Sequence, residues 1–190
     1  MKAWLLALTL IAMSLPATAA APKLGKPSYG GPGCPAGTAT VVAGNDSISI
    51  RFDRYQVAAG GSSGKTFDRK ACSLSVPVTV PAGKSVAVIA VNYAGYNRLP
   101  AGATSQFTIE QFLAGGTGPV FSRSFKGPQN GRFTAASDAA LVWSACGGGV
   151  TLRTNSSLLV RAAGGQAASA SIRAQDVKTA IVYRLRWKDC

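Results

Sequence analysis

No histidine occurs anywhere in the 190 residues. That absence removes the usual general base at neutral pH, the Ser-His and Cys-His nucleophile pairs and the commonest zinc ligand. Acidic residues are also scarce, with 7 Asp and Glu against 20 Lys and Arg. They never cluster as D-x-D-x-D, so no calcium loop can be read. No two cysteines stand at C-x-x-C spacing, which argues against a zinc site built from all four thiolates. Beyond the first 20 positions, no apolar run approaches the roughly 20 residues of a membrane span. No window longer than about ten residues carries a clean 3.6-residue period, so amphipathic helices are not expected. These absences imply no metal, no cofactor and no recognisable catalytic set.

What is present begins with an export signal. Lys2 gives a short positive region, Trp4–Leu15 is apolar, and Pro16 precedes the small-residue tract Ala17-Thr18-Ala19-Ala20-Ala21. This is the pattern of a cleaved signal peptide over residues 1–20, with the cut after Ala19 or Ala20. No cysteine follows to take a lipid anchor. The expected location is outside the cell, or periplasmic and cell-surface associated if the host is Gram-negative. The sequons Asn45-Asp46-Ser47 and Asn155-Ser156-Ser157 matter only in a eukaryotic host.

The remaining chain of roughly 170 residues suits one domain. Residues 21–32 are rich in Pro and Gly and read as an extended leader, with the domain proper over 33–190. Short alternating segments separated by Gly/Pro turns follow. They include Thr38–Val42, Ser47–Tyr55, Ala71–Val80, Ser85–Tyr93, Thr104–Phe112, Val120–Phe125, Ala140–Cys146 and Val150–Arg161. Pro77 suggests that its strand lies at an edge. The clearest stretch is Val177–Cys190, where Val177, Thr179, Ile181, Tyr183, Leu185 and Trp187 alternate with mostly basic residues. Such strands and turns indicate an all-β, single-domain antiparallel sandwich or jelly roll.

The four cysteines, Cys34, Cys72, Cys146 and Cys190, form an even set in an exported chain and read as two disulfides. Three pairings are possible. Successive loops favour Cys34–Cys72 and Cys146–Cys190, each closing roughly 40 residues and contributing about 4 kcal/mol in the chain-entropy model.

Several short motifs follow one another along the chain: Gly31–Thr38 (GPGCPAGT), Arg69-Lys70-Ala71-Cys72, Val80-Pro81-Ala82-Gly83 and Val91–Tyr96 (VNYAGY). Phe125-Lys126-Gly127-Pro128, Trp143–Gly147 (WSACG) and Trp187-Lys188-Asp189-Cys190 continue the series. In this order they resemble a secreted family known as domain of unknown function 4360. The family often has Asp and Arg where this chain has Asn92 and Ala94. The resemblance implies a secreted, disulfide-bonded β-domain of fungi and bacteria and carries over no catalytic residue.

Functional signals are few. The formal charge of +13, or +12 without Lys2, attracts polyanions, although such an excess also serves solubility alone. On the terminal strand Lys178, Arg184, Arg186 and Lys188 share a face and form a candidate polyanion-binding stripe. Trp187 points the other way, toward the core. Tyr55, Tyr93 and Tyr96 are candidates for a sugar platform, with core packing the simpler account for at least two. Ala59–Thr66 fits a relaxed phosphate-binding loop but leads into a strand rather than a helix, so it reads as a hairpin loop. The carboxylates Asp46, Asp53, Asp68, Glu110, Asp138, Asp176 and Asp189 are candidates for glycosidase chemistry only if two share a cleft. The expected function is a non-catalytic binding or structural module held by a basic surface to an anionic envelope polymer or polysaccharide. An inhibitor docking a protein partner through Gly60–Gly64 or Gly115–Pro119 is the alternative, then a carboxylate-dependent hydrolase. Specific nucleic-acid binding is not expected.

Overall fold

The computed structural model describes residues 23–138, 141–172 and 181–190, the side chain of Asp138 excepted. The export segment 1–20, Asp176, and the start of the terminal strand with Lys178 lie outside the described residues. In chain order the strands are β1 (Lys23–Leu24), β2 (Ser28–Gly30), β3 (Ala39–Ala43), β4 (Ser47–Phe52), β5 (Gln56–Ala59), β6 (Phe67–Val80) and β7 (Lys84–Leu99). They continue as β8 (Thr104–Leu113), β9 (Val120–Lys126), β10 (Gln129–Asp138), β11 (Gly148–Arg161), β12 (Ala168–Ser171) and β13 (Ile181–Asp189). Among the described residues the only helical turn is Gly61–Ser63.

The strands form two antiparallel sheets packed face to face. One runs β1-β6-β11-β8-β9, with β2 also on β6; the other runs β3-β4-β13-β7-β12-β5, with β10 on the far edge of β7. Period-two alternation explains the packing. Leu74, Val76, Val78, Phe107, Ile109, Leu152 and Leu158 project from the first sheet onto Ile48, Ile50, Val91, Ile181 and Tyr183 of the second, all buried. Burying each such side chain contributes about 1.5–3 kcal/mol. Polar pairs cross this apolar layer: the Thr154 and Tyr183 hydroxyls meet at 2.6 Å, those of Ser156 and Tyr55 at 3.1 Å, and the Ser105 hydroxyl donates to the Asn97 amide oxygen at 2.9 Å. Each satisfies polar groups that would otherwise be buried alone.

Both expected disulfides form, Cys34–Cys72 and Cys146–Cys190. All four thiols are thereby used, so no thiolate metal site exists. The first is buried in the core, whereas Cys146 and Cys190 are exposed.

Several expectations are corrected. The stretch read as a leader contributes β1 and β2, which pair with β6, so the fold extends to Lys23. Pro77 is therefore not at a bare edge, yet its ring nitrogen faces the break between those two strands. Gly25 fills that break, its N–H donating to the Pro77 carbonyl at 2.9 Å. The strand expected to end at Tyr93 continues through Gly95 to Leu99. Gly95 allows this because a Cβ there would lie 2.4 Å from both the Phe133 ring and the Ser171 carbonyl. Strands β5, β10 and β12 were not expected. β12 buries only Ala168 and Ala170, and β10 buries Phe133 amid Ala, Ser and Thr, so neither has an apolar contrast to read. Conversely, the expected strand at 140–146 reduces, within 141–146, to one bridge between Trp143 and Ala87.

Gly95→Ala should lower unfolding free energy by about 1–3 kcal/mol or more, seen as a reduced urea midpoint with an unchanged slope. Graded reductant should open Cys146–Cys190 in the native protein while Cys34–Cys72 resists until unfolding. Mass spectrometry of alkylated thiols would show which pair reacts first.

Candidate functional site

Strand β13 lies between β4 and β7, and a bulge between Arg184 and Leu185 shifts its register against β7. Ile181, Tyr183 and Leu185 stay inward on both sides of that bulge. Arg184, Arg186 and Lys188 are all exposed on the outer face of the seven-stranded sheet. The structure therefore brings together three of the four expected stripe residues. Their neighbours on β7 are small: Ala90 beside Arg184, Ala87 beside Arg186 and Ser85 beside Lys188. None of the three has a carboxylate within 4.0 Å among the described residues; the nearby Asp189 pairs with Lys84 instead. The Lys188 ammonium sits 4.4 Å above the Trp143 ring, which shares the outer face through the Ala87 bridge. Trp187 turns inward and packs against the core.

A second basic feature lies at the other end of β7. A cleft of about 500 Å³ opens beside β5 and β12, lined by Lys65, Lys70, Tyr96, Arg98, Ser169 and Ser171 among others. Sheet pairing builds it: Ser171 lies opposite Tyr96 and Ser169 opposite Arg98, so all four project outward. The Arg98 guanidinium rests 5.9 Å over the Tyr96 ring, whose hydroxyl donates to Asn130 at 2.9 Å. Lys70 comes from the row of β6 that supplies Cys72 and Leu74 to the core and continues outward past its end. Sequence reasoning missed this cleft because four separate segments, 56–58, 63–70, 96–98 and 169–171, converge only through strand pairing.

The other candidates disperse. Tyr55 and Tyr93 are buried, leaving Tyr96 as the one member of the trio beside a cleft. The Gly60–Gly64 loop leads into β6, and no helix follows to hold a phosphate. Asp53 pairs with Arg51 at 3.7 Å, Asp68 with Lys65 at 3.5 Å, and Glu110 accepts from Asn155 at 3.3 Å. The cleft contains one carboxylate, Asp68. Among the described residues no helix is long and apolar enough to cross a membrane.

Comparison with known proteins places this geometry in context. The model of a family described as domain of unknown function (DUF4360) matches residues 21–190. An uncharacterized secreted protein of Arthroderma benhamiae is 28% identical over 171 residues, covering 86% of this chain and 69% of that protein. With its two disulfides, the chain is likewise a secreted protein. Among solved structures, TmCBM61 in complex with β-1,4-galactotriose superposes with a TM-score of 0.31 at 12% identity, over 86% of this chain and 88% of that one. The Agl-KA catalytic domain gives 0.31 at 8% identity, over 92% and 30%. At these scores neither likeness assigns a ligand.

Burial of the tyrosines has a measurable consequence. Burial pushes the Tyr55 hydroxyl up to about 12, although its bond to Ser156 works against that rise. Tyr93 and Tyr183 are also driven upward, chiefly by burial. Because the folded state holds these protons more tightly than the unfolded chain, the associated stability is complete below pH ~10. It is lost as pH climbs toward and past 12. Tyrosinate absorbance should therefore rise in two stages, the later one coinciding with loss of the near-ultraviolet circular dichroism.

Proposed function

We propose that this chain, which belongs to the DUF4360 family, is a non-catalytic binding module that adheres to anionic extracellular or envelope polymers. The observation carrying this reading is the stripe on β13. Arg184, Arg186 and Lys188 stand exposed at alternate positions of one strand, on a floor of Ala and Ser, with no carboxylate partner among the described residues. Alternate positions on a strand repeat every 6.6–6.8 Å or so, a spacing suited to the regular charges of an extended polyanion. The chain's net charge of +13 adds a long-range attraction of the same sign. Among the described carboxylates, Asp53, Asp68 and Asp189 hold ion pairs and Glu110 accepts a cross-strand hydrogen bond, which is in keeping with a binding role.

Co-sedimentation of the oxidised protein with isolated cell envelopes and insoluble acidic polysaccharides tests the reading. Retention should be strong at low salt and lost near 1 M, where the Debye length shrinks to about 3 Å. Arg184→Gln with Arg186→Gln should weaken low-salt retention about fivefold while leaving the melting temperature within a degree or two. Retention that survives high salt, or that ignores the double substitution, would count against the stripe. No retention at either salt would turn the search to a protein partner.

A further inference from the structure

We propose that the cleft at the far end of the outer face is a distinct binding site for one acidic sugar unit, a hexuronate within a polysaccharide. The proposal relies on the polyanion reading only for the sign of the ligand's charge; the site itself is separate from the stripe. Lys188 lies opposite Ser85 on β7, and Arg98 is 13 residues farther along that strand, about 40 Å at the usual rise.

The charge pattern inside the cleft is the first support. Asp68 is already committed: it pairs with Lys65 at 3.5 Å and accepts the Ala58 N–H at 3.1 Å, covering part of the free edge of β5. Lys70 and Arg98 are left with no carboxylate within 4.0 Å among the described residues, although both line the same cavity. Lys70 is half-buried, which makes its unpaired charge more costly than that of a freely solvated lysine. Arg98 is restrained over the Tyr96 ring, so its planar fork is partly ordered before any ligand arrives. Both cations face the cavity, so a carboxylate bound there has unpaired positive charge on its walls.

The second support is the polar chemistry of the cleft wall. Ser169 and Ser171 occupy alternate outer positions of β12, and Gln56 lies opposite Ser171. These hydroxyl and amide groups both donate and accept, as the vicinal hydroxyls of a sugar require. The cavity of about 500 Å³ is within the range of small-ligand sites. Its wall carries one aromatic ring, Tyr96, and that ring is covered by Arg98, so no sandwich exists to stack a nucleobase. A bare inorganic anion would use only the donor half of these hydroxyl and amide groups, whereas a sugar uses both.

Titration followed by amide NMR shifts tests the site, with trigalacturonate and a mannuronate trimer as probes and the carboxyl-reduced form of each as its neutral match. The acidic trimers should shift Arg98, Ser169 and Ser171, and the reduced forms should bind at least about tenfold more weakly, or 1.4 kcal/mol. Lys70→Gln and Arg98→Gln should each cause a similar loss. Arg184→Gln with Arg186→Gln should change nothing here, which separates failure of this site from failure of the stripe. Melting temperature reports on folding, and Lys70→Gln stands alone should Arg98→Gln be destabilised. Equal binding by the reduced trimers, identical shifts from sulfate at matched ionic strength, unchanged affinity in both variants, or no binding by either acidic trimer would overturn the proposal.

Discussion

Antiparallel pairing along one 16-residue strand, β7, holds the seven-stranded sheet together. Its first half pairs with β13 and its last residues with β12 along the same edge, while β10 follows the opposite edge from Ala90 to Leu99. A strand shared in this way must satisfy two partners at once while keeping its side chains alternating against a core. Two local departures accommodate it: the register shift beside Arg184 and the missing side chain at Gly95. At Gly95 the Phe133 ring of β10 fills the space a side chain would take, so the weakest residue of the strand becomes a packing site. Both basic features of the outer face are set out along this strand, one at each end.

The interior shows how the two sheets are kept in one arrangement. An apolar layer alone would tolerate small slips between sheets, since its contacts are non-directional. The Tyr183–Thr154, Tyr55–Ser156 and Asn97–Ser105 bonds join particular residues across or around that layer and fix the relation. Tyr93 is different: its hydroxyl is buried without a partner among the described residues, and its ring is held by Phe107 and Phe121 instead.

Legibility in the sequence followed contrast between neighbouring residues. Strand β13 was plain because apolar and aromatic residues alternate with Arg and Lys, and β6 because Leu74, Val76, Val78 and Val80 alternate with small or polar ones. The disulfide pairing followed from successive loops and is what the structure contains. Strands β12 and β10 were not legible: Ala, Ser and Thr fit either face of a sheet, so alternation leaves no trace in them. Gly95 read as a break because glycine usually marks a turn, and only the Phe133 ring packed on it explains a strand there. At the candidate site the difference is the same. The stripe belongs to one strand and could be read directly, but Lys70, Arg98 and Ser169 are distant in the chain and meet only once β5, β6, β7 and β12 are assembled.

The place of β13 in the sheet has a bearing on how the molecule is made. Although β13 comes last in chain order among the described strands, it does not add to an edge; it fills the gap between β4 and β7. Without it, both of those strands would present unpaired backbone groups, the kind of edge that invites association with other chains. The Cys146–Cys190 bond lies directly after that strand and ties its end to the segment around Trp143. Oxidation at this position thus works as a latch on a strand held in the middle of a sheet, and reduction would leave β13 secured by its pairing and its buried side chains alone.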